Sequence, residues 1–211
     1  MRVPVIGVTG PIASGKTTLA RFIARGGGAL VDCDALGARA LDLPAVRRRL
    51  VAAFGRSILT PGGSVSRRRL GRLVFASDRD LERLNRIVRP SLTRVIAAEV
   101  AGRRAGAKYI VLDAVLLFQY TFRFKIDYAV ATKAPAGKRL ARIMRRDRLS
   151  RAEALARMAR QRRLAGGWAR ADERIATDRP LRLVRRDAER IKALVLARAR
   201  RKGRSARCRK N

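Results

Sequence analysis

The stretch that most constrains this chain is Gly10-Pro11-Ile12-Ala13-Ser14-Gly15-Lys16-Thr17. It follows an apolar run, Val3 to Val8, and precedes Thr18 to Ala24, which has helical spacing. The pattern G-x-x-x-x-G-K-[ST] between a strand and a helix is that of a phosphate-binding loop. Glycines at both ends let the backbone wrap closely enough for successive N–H groups to face one anion. The following helix adds its positive end to the same spot. Residues Gly10 to Thr18 form the expected cradle, Lys16 reaches the β- and γ-phosphates, and the Thr17 hydroxyl is placed to coordinate Mg²⁺. Pro11 removes one donor early in the loop, where not every N–H is needed. A glycine-rich turn that merely carries a lysine is the bland alternative, and the strand–loop–helix order argues against it.

At 211 residues the chain suits one α/β domain with room for a helical insertion. There is no histidine, which excludes His-based acid–base catalysis and His metal sites. Cys33 and Cys208 lack metal-ligand spacing. The N-terminal apolar run flows into the loop, so it reads as a core strand and not a signal sequence, and no segment is long enough to span a bilayer. A reducing cytoplasm is the expected setting. The formal charge of +35 is extreme for an enzyme. It has two competing causes: non-specific RNA binding, or a residue usage that places arginine at any exposed position. The runs Arg47-Arg48-Arg49 and Arg67-Arg68-Arg69 lie within ordinary helix patterns and favour the second. Incidental RNA affinity follows from either.

Along the chain, Gly26-Gly27-Gly28 stops the first helix, and Ala29-Leu30-Val31 is a short strand that ends at Asp32-Cys33-Asp34. In a parallel α/β sheet ligands bind at the strand C-termini, so both carboxylates emerge near the phosphates. Asp34 is either a helix N-cap or a catalytic group. From 35 to about 106 the pattern is helical (Val46–Phe54, Ser66–Ala76, Asp78–Val88, Pro90–Arg104), with a turn at Thr60-Pro61-Gly62-Gly63. Pro90 suits a helix first turn. This insertion is where an acceptor substrate is expected. Strands follow at Tyr109–Leu112 and Asp127–Ala131, and Asp113 is a candidate for holding Mg²⁺ through water. A lid is expected over about 138–168. Its first helix carries Arg142 and Arg146 four residues apart, in reach of one phosphate group, and Ser150-Arg151-Ala152-Glu153 forms a capping box opening its second. Glu173–Ala176 reads as a last strand and Pro180 opens a helix to about Ala199. Residues 200–211 are basic, with almost no apolar side chains, and are expected to be disordered.

From Val5 to about Leu194 this series resembles the dephospho-CoA kinase family. The resemblance rests on Gly10 to Lys16, Val31-Asp32-Cys33-Asp34-Ala35 and Arg69-Leu70-Gly71-Arg72-Leu73-Val74-Phe75. It continues through Leu84-Asn85-Arg86-Ile87, Leu116-Leu117-Phe118, Arg142-Ile143-Met144-Arg145-Arg146-Asp147, Gln161 and Ala171-Asp172. It implies a P-loop NTPase-type parallel sheet flanked by helices, with a helical substrate insertion and a small lid. It also implies transfer of the ATP γ-phosphoryl group to the 3′-hydroxyl of dephospho-CoA, with Asp34 matching the family's proposed base and Arg142 and Arg146 its lid arginines. Lys16, Asp34, Arg142 and Arg146 form the expected catalytic set, with ATP and Mg²⁺ as cofactors.

Several positions depart from the family pattern. Arg89-Pro90 stands where His-Pro is usual, Gln119 where a glutamate is, and Thr177 and Arg179 where Asn and Gly are; Pro11 replaces the loop's second glycine. None removes a member of the catalytic set. The alternatives are a related P-loop kinase acting on a nucleotide or other small metabolite, and an RNA- or ribosome-associated protein with a remnant nucleotide site.

Overall fold

Alternation of apolar runs with helical segments builds a parallel sheet, and the computed structural model of the chain, which describes residues 2–74, 77–164 and 167–208, contains one. Its strands are β1 (Val5–Thr9), β2 (Gly28–Asp32), β3 (Tyr109–Asp113), β4 (Tyr128–Lys133) and β5 (Glu173–Ala176), in the order β2-β3-β1-β4-β5. Every pairing is parallel. The apolar side chains of β1 and β3 are buried throughout, as expected for strands covered on both faces. The register sets Asp32 opposite Asp113, Val8 opposite Asp113 and Thr9 opposite Ala131. The strand C-termini therefore share one edge, from which the phosphate loop departs.

The chain divides into two compact units, Met1–Asp32 with Val100–Asn211, and Cys33–Glu99. In the first, α1 (Lys16–Ala24) and α8 (Leu181–Cys208) pack on one sheet face. Leu19, Ala20 and Ile23 of α1 meet Val184, Ala188, Ile191 and Val195 of α8 in a core shared with Ile6, Val111 and Val130. The Tyr109 hydroxyl donates to the carbonyls of Ile23 and Arg25 at 2.8 and 2.7 Å, satisfying acceptors that the end of α1 leaves unpaired. Burial of Tyr109 pushes its phenol up to about 12. The first unit also holds α6 (Ala136–Asp147) and α7 (Arg151–Leu164). α8 continues to Cys208, so residues 200–208 are helical where the sequence suggested disorder. Arg, Lys and Ala are good helix formers, and past Leu196 there is no proline and a single glycine, Gly203, costing about 1 kcal/mol, so the helix propagates past its apolar stripe. Residues 209–211, like Phe75 and Ala76 of the helix expected over Ser66–Ala76, lie outside the described residues.

The second unit contains α2 (Cys33–Leu41), α3 (Pro44–Phe54), α4 (Arg67–Val74) and most of α5 (Asp78–Arg103). Ser66 and Ser77 cap α4 and α5, accepting from the N–H groups of Arg69 and Asp80. The turn at Thr60–Gly63 is closed by a bridge between Leu59 and Val65. Pro90 does not open a helix; it lies inside α5. Val88, Leu92, Ile96 and Val100 are all buried at a four-residue spacing, so the apolar stripe keeps phase through the proline and outweighs the lost hydrogen bond. Among the described residues no helix is long and apolar enough to cross a membrane.

Candidate active site

The loop between β1 and α1 curls as its glycines allow. Gly10 has φ +143°, and a Cβ there would lie 2.2 Å from the Thr132 hydroxyl oxygen and 2.7 Å from the Thr132 carbonyl. Gly15 has φ +83°, with Thr177 at 3.0 Å from the position a Cβ would take. Ala13 adopts a left-handed φ of 58° without being glycine, a conformation that costs about 1 kcal/mol or more and persists only where surroundings hold it. The Ser14 N–H closes a turn on the Pro11 carbonyl at 3.1 Å, and Leu19 N–H bonds the Gly15 carbonyl at 3.0 Å. The amides of Lys16, Thr17 and Thr18 thus lie at the open end of α1, where an anion is favoured.

Lys16, only 8% exposed, forms an ion pair with Asp113, 2% exposed at the end of β3. Thr17 is half-buried and Thr18 exposed. The hydroxyls of Ser14 and Thr132 share a hydrogen bond of 2.5 Å, and Thr132 also donates to the Thr9 carbonyl at 3.2 Å. Thr177, just past β5, donates to the Ser14 carbonyl and, at 3.2 Å, to that of Lys133. The position that departs from the family pattern therefore supports the loop from behind. The neighbouring departure, Arg179, forms an ion pair with Asp187 and donates to the Ala176 carbonyl at 2.9 Å.

Arg142 and Arg146, both of α6, engage different partners. Arg142 donates to the Ala13 carbonyl at 3.0 Å and the Thr177 carbonyl at 3.4 Å, so it grips the loop's main chain. Arg146 forms a two-pronged pair with its neighbour Asp147 at 2.8 and 3.0 Å, and Arg157 joins the same carboxylate at 2.6 Å. The Arg146 hydrogen bond holds the Asp147 carboxyl below the usual range, and the same contact raises Arg146. Burial lowers Arg139, whose Nε is buried without a partner. The capping box opening α7 is present: Ser150 N–H donates to Glu153 at 2.8 Å, and Glu153 N–H returns a bond to the Ser150 hydroxyl at 3.3 Å. From α7 the Gln161 side chain accepts from the Ile12 N–H.

Asp34 is exposed in the first turn of α2, where a carboxylate is favoured by the helix dipole. It follows by two residues the exposed Asp32 that ends β2. Among the described residues no group of three or more His, Cys, Asp or Glu could hold a metal ion. A hard, oxygen-seeking cation such as Mg²⁺ would then take phosphate and water oxygens beside the Thr17 hydroxyl, which suits its preference for few protein ligands. Sequence reasoning had no role for Thr132, met Thr177 only as a departure from the family pattern and Gln161 only as one of the residues carrying the family resemblance. The first two could have been suspected from their places at the C-terminal ends of strands.

A strand, a glycine-bracketed loop and a helix N-terminus around a buried lysine make a P-loop kinase fold, and a family model for dephospho-CoA kinase matches residues 4–181. The chain belongs to the dephospho-CoA kinase family. The dephospho-CoA kinase of Bacillus licheniformis is 36% identical over 171 residues, which cover 80% of this chain and 85% of that one. That of Geobacter metallireducens is 40% identical over 160 residues, 74% of this chain and 79% of its own. A crystal structure of TT1252 from Thermus thermophilus matches with a TM-score of 0.74 at 31% identity, covering 94% of this chain and 98% of that one. ATP is the phosphoryl donor that membership implies. The family match ends at residue 181, where α8 begins.

Proposed function

We propose that this chain transfers the γ-phosphoryl group of ATP to the 3′-hydroxyl of dephospho-CoA, giving coenzyme A and ADP, the last step of CoA biosynthesis, in the cytoplasm. The observation that carries the reading is the buried Lys16 at the mouth of the loop, within a chain that matches the family over residues 4–181. The loop from Gly10 to Thr18 cradles the ATP phosphates through its main-chain amides, except that Pro11 has none and those of Ile12 and Ser14 are given to Gln161 and the Pro11 carbonyl. Lys16 exchanges Asp113 for the β- and γ-phosphates. Asp34 accepts the proton of the ribose hydroxyl as its oxygen attacks phosphorus and the bond to the β–γ bridging oxygen breaks. Arg142 keeps the loop's carbonyls turned away from the incoming charge, and Arg146 is supplied from the lid once it leaves Asp147. Thr17 would hold Mg²⁺ directly and Asp113 through water, and the ion would supply neutralisation of phosphate charge.

The test offers Mg·ATP with dephospho-CoA or with a nucleoside monophosphate and follows ADP. Turnover with dephospho-CoA alone supports the reading; turnover with the monophosphate alone reassigns the acceptor.

RNA affinity is the second reading, favoured by one observation. Beyond the buried Val195, the sequence carries Arg198, Arg200, Arg201 and Lys202 and no acid. Such affinity is electrostatic and incidental to catalysis, so it should vanish with added salt while turnover with dephospho-CoA persists. RNA binding that survives salt, in a chain without kinase activity, would favour the remnant-site alternative.

A further inference from the structure

From α7 the Gln161 side chain reaches the phosphate loop, and the reaction scheme above gives it no part. Its side-chain oxygen accepts from Ile12 N–H. The next two loop carbonyls along the chain are also taken by side chains, that of Ala13 by Arg142 from α6 and that of Ser14 by Thr177 from beyond β5. Three successive residues are therefore held from outside by three separate elements. The middle one, Ala13, is in the left-handed conformation that needs holding. A main-chain cradle presents its N–H groups to an anion only while its peptide planes keep their orientation, and each of these bonds fixes one plane.

We propose that Gln161 is a positioning residue for the ATP step: it ties the second lid helix to Ile12 and, with Arg142 and Thr177, holds the loop in its phosphate-ready shape. This rests on the reading of the loop as an ATP site. α7 can influence nucleotide affinity through this bond without touching the acceptor. Because Gln161 acts on the loop's shape, its loss should raise the KM for ATP and leave that for dephospho-CoA unchanged.

The test uses the full-length chain with Gln161→Met, which keeps length and helix propensity but offers no oxygen. Gln161→Asn keeps the amide on a shorter stem. Both should bind Mg·ATP about 5- to 10-fold more weakly by calorimetry, the usual effect of losing one hydrogen bond. KM should rise for ATP alone, and amide exchange at Ile12 should quicken. Wild-type ATP affinity with unchanged Ile12 exchange in both variants overturns the inference. Equal rises in both KM values overturn it too, since they mark general damage. If the wild-type chain itself binds no Mg·ATP, the underlying reading of the loop fails instead.

Discussion

Asp113→Asn separates the resting site from the loaded one. Asp113 and Lys16 are 2% and 8% exposed and paired with each other. Removing one charge of a buried pair strands the other, at a cost of about 3–5 kcal/mol. Asparagine keeps the shape and one acceptor, so the lower end, about 3 kcal/mol, is expected. In a chain of this size each kcal/mol moves the thermal midpoint by about 2–4 °C, which gives a fall of about 6–12 °C without nucleotide. Mg·ATP should close much of that gap, because its phosphates supply the anion that Lys16 has lost, whereas the roughly 2.7 kcal/mol that ligand at about 100 times its Kd adds raises both proteins alike. Differential scanning fluorimetry of both proteins, with and without Mg·ATP, reads both effects. A variant that melts within about 2 °C of wild type without nucleotide would refute the buried-pair argument. An equal deficit with and without Mg·ATP would show that Lys16 does not turn to the phosphates.

Asp34→Asn should leave ATP affinity nearly unchanged and lower turnover by about 10²–10⁴-fold, the range for a general base; near-normal turnover would reduce Asp34 to a helix-start residue. Ser150→Ala breaks the capping box of α7 and should cost about 1 kcal/mol in a denaturant melt, with protease sensitivity rising first around α7. The Tyr109 phenol, raised from 10.0 to about 12 in the folded chain, contributes stability that is whole below pH 10 and lost as pH climbs toward 12. A melting series from neutral to alkaline pH should show that loss, and Tyr109→Phe should remove this component of it.

The loop, the strands and the capping box were legible because each is written in adjacent residues: glycine spacing, short β-branched runs, Ser150 three before Glu153. Pro90 misled because a local rule about proline met a buried stripe, Val88 to Val100, whose phase only the packed helix reveals. The basic end of α8 misled in the opposite sense, since lack of apolar residues argues against packing but not against a helix that starts from a packed segment. The partners of the site residues could not be read at all. That Lys16 meets Asp113, that Arg142 grips Ala13 and that Thr177 braces Ser14 depend on which strand ends are neighbours in the sheet, while Arg146 turns to its own neighbour Asp147. Gln161 carried a family signal without a reason; the Ile12 amide supplies one.

The central claim is a phosphoryl transfer to one particular oxygen, so the most direct measurement is the position of the new phosphate. Phosphorus and proton NMR of the product formed from dephospho-CoA and Mg·ATP should show one added monoester, coupled to the ribose 3′ proton, with ADP in equal amount. A phosphate elsewhere on the molecule, or ADP released with dephospho-CoA unchanged, would contradict it.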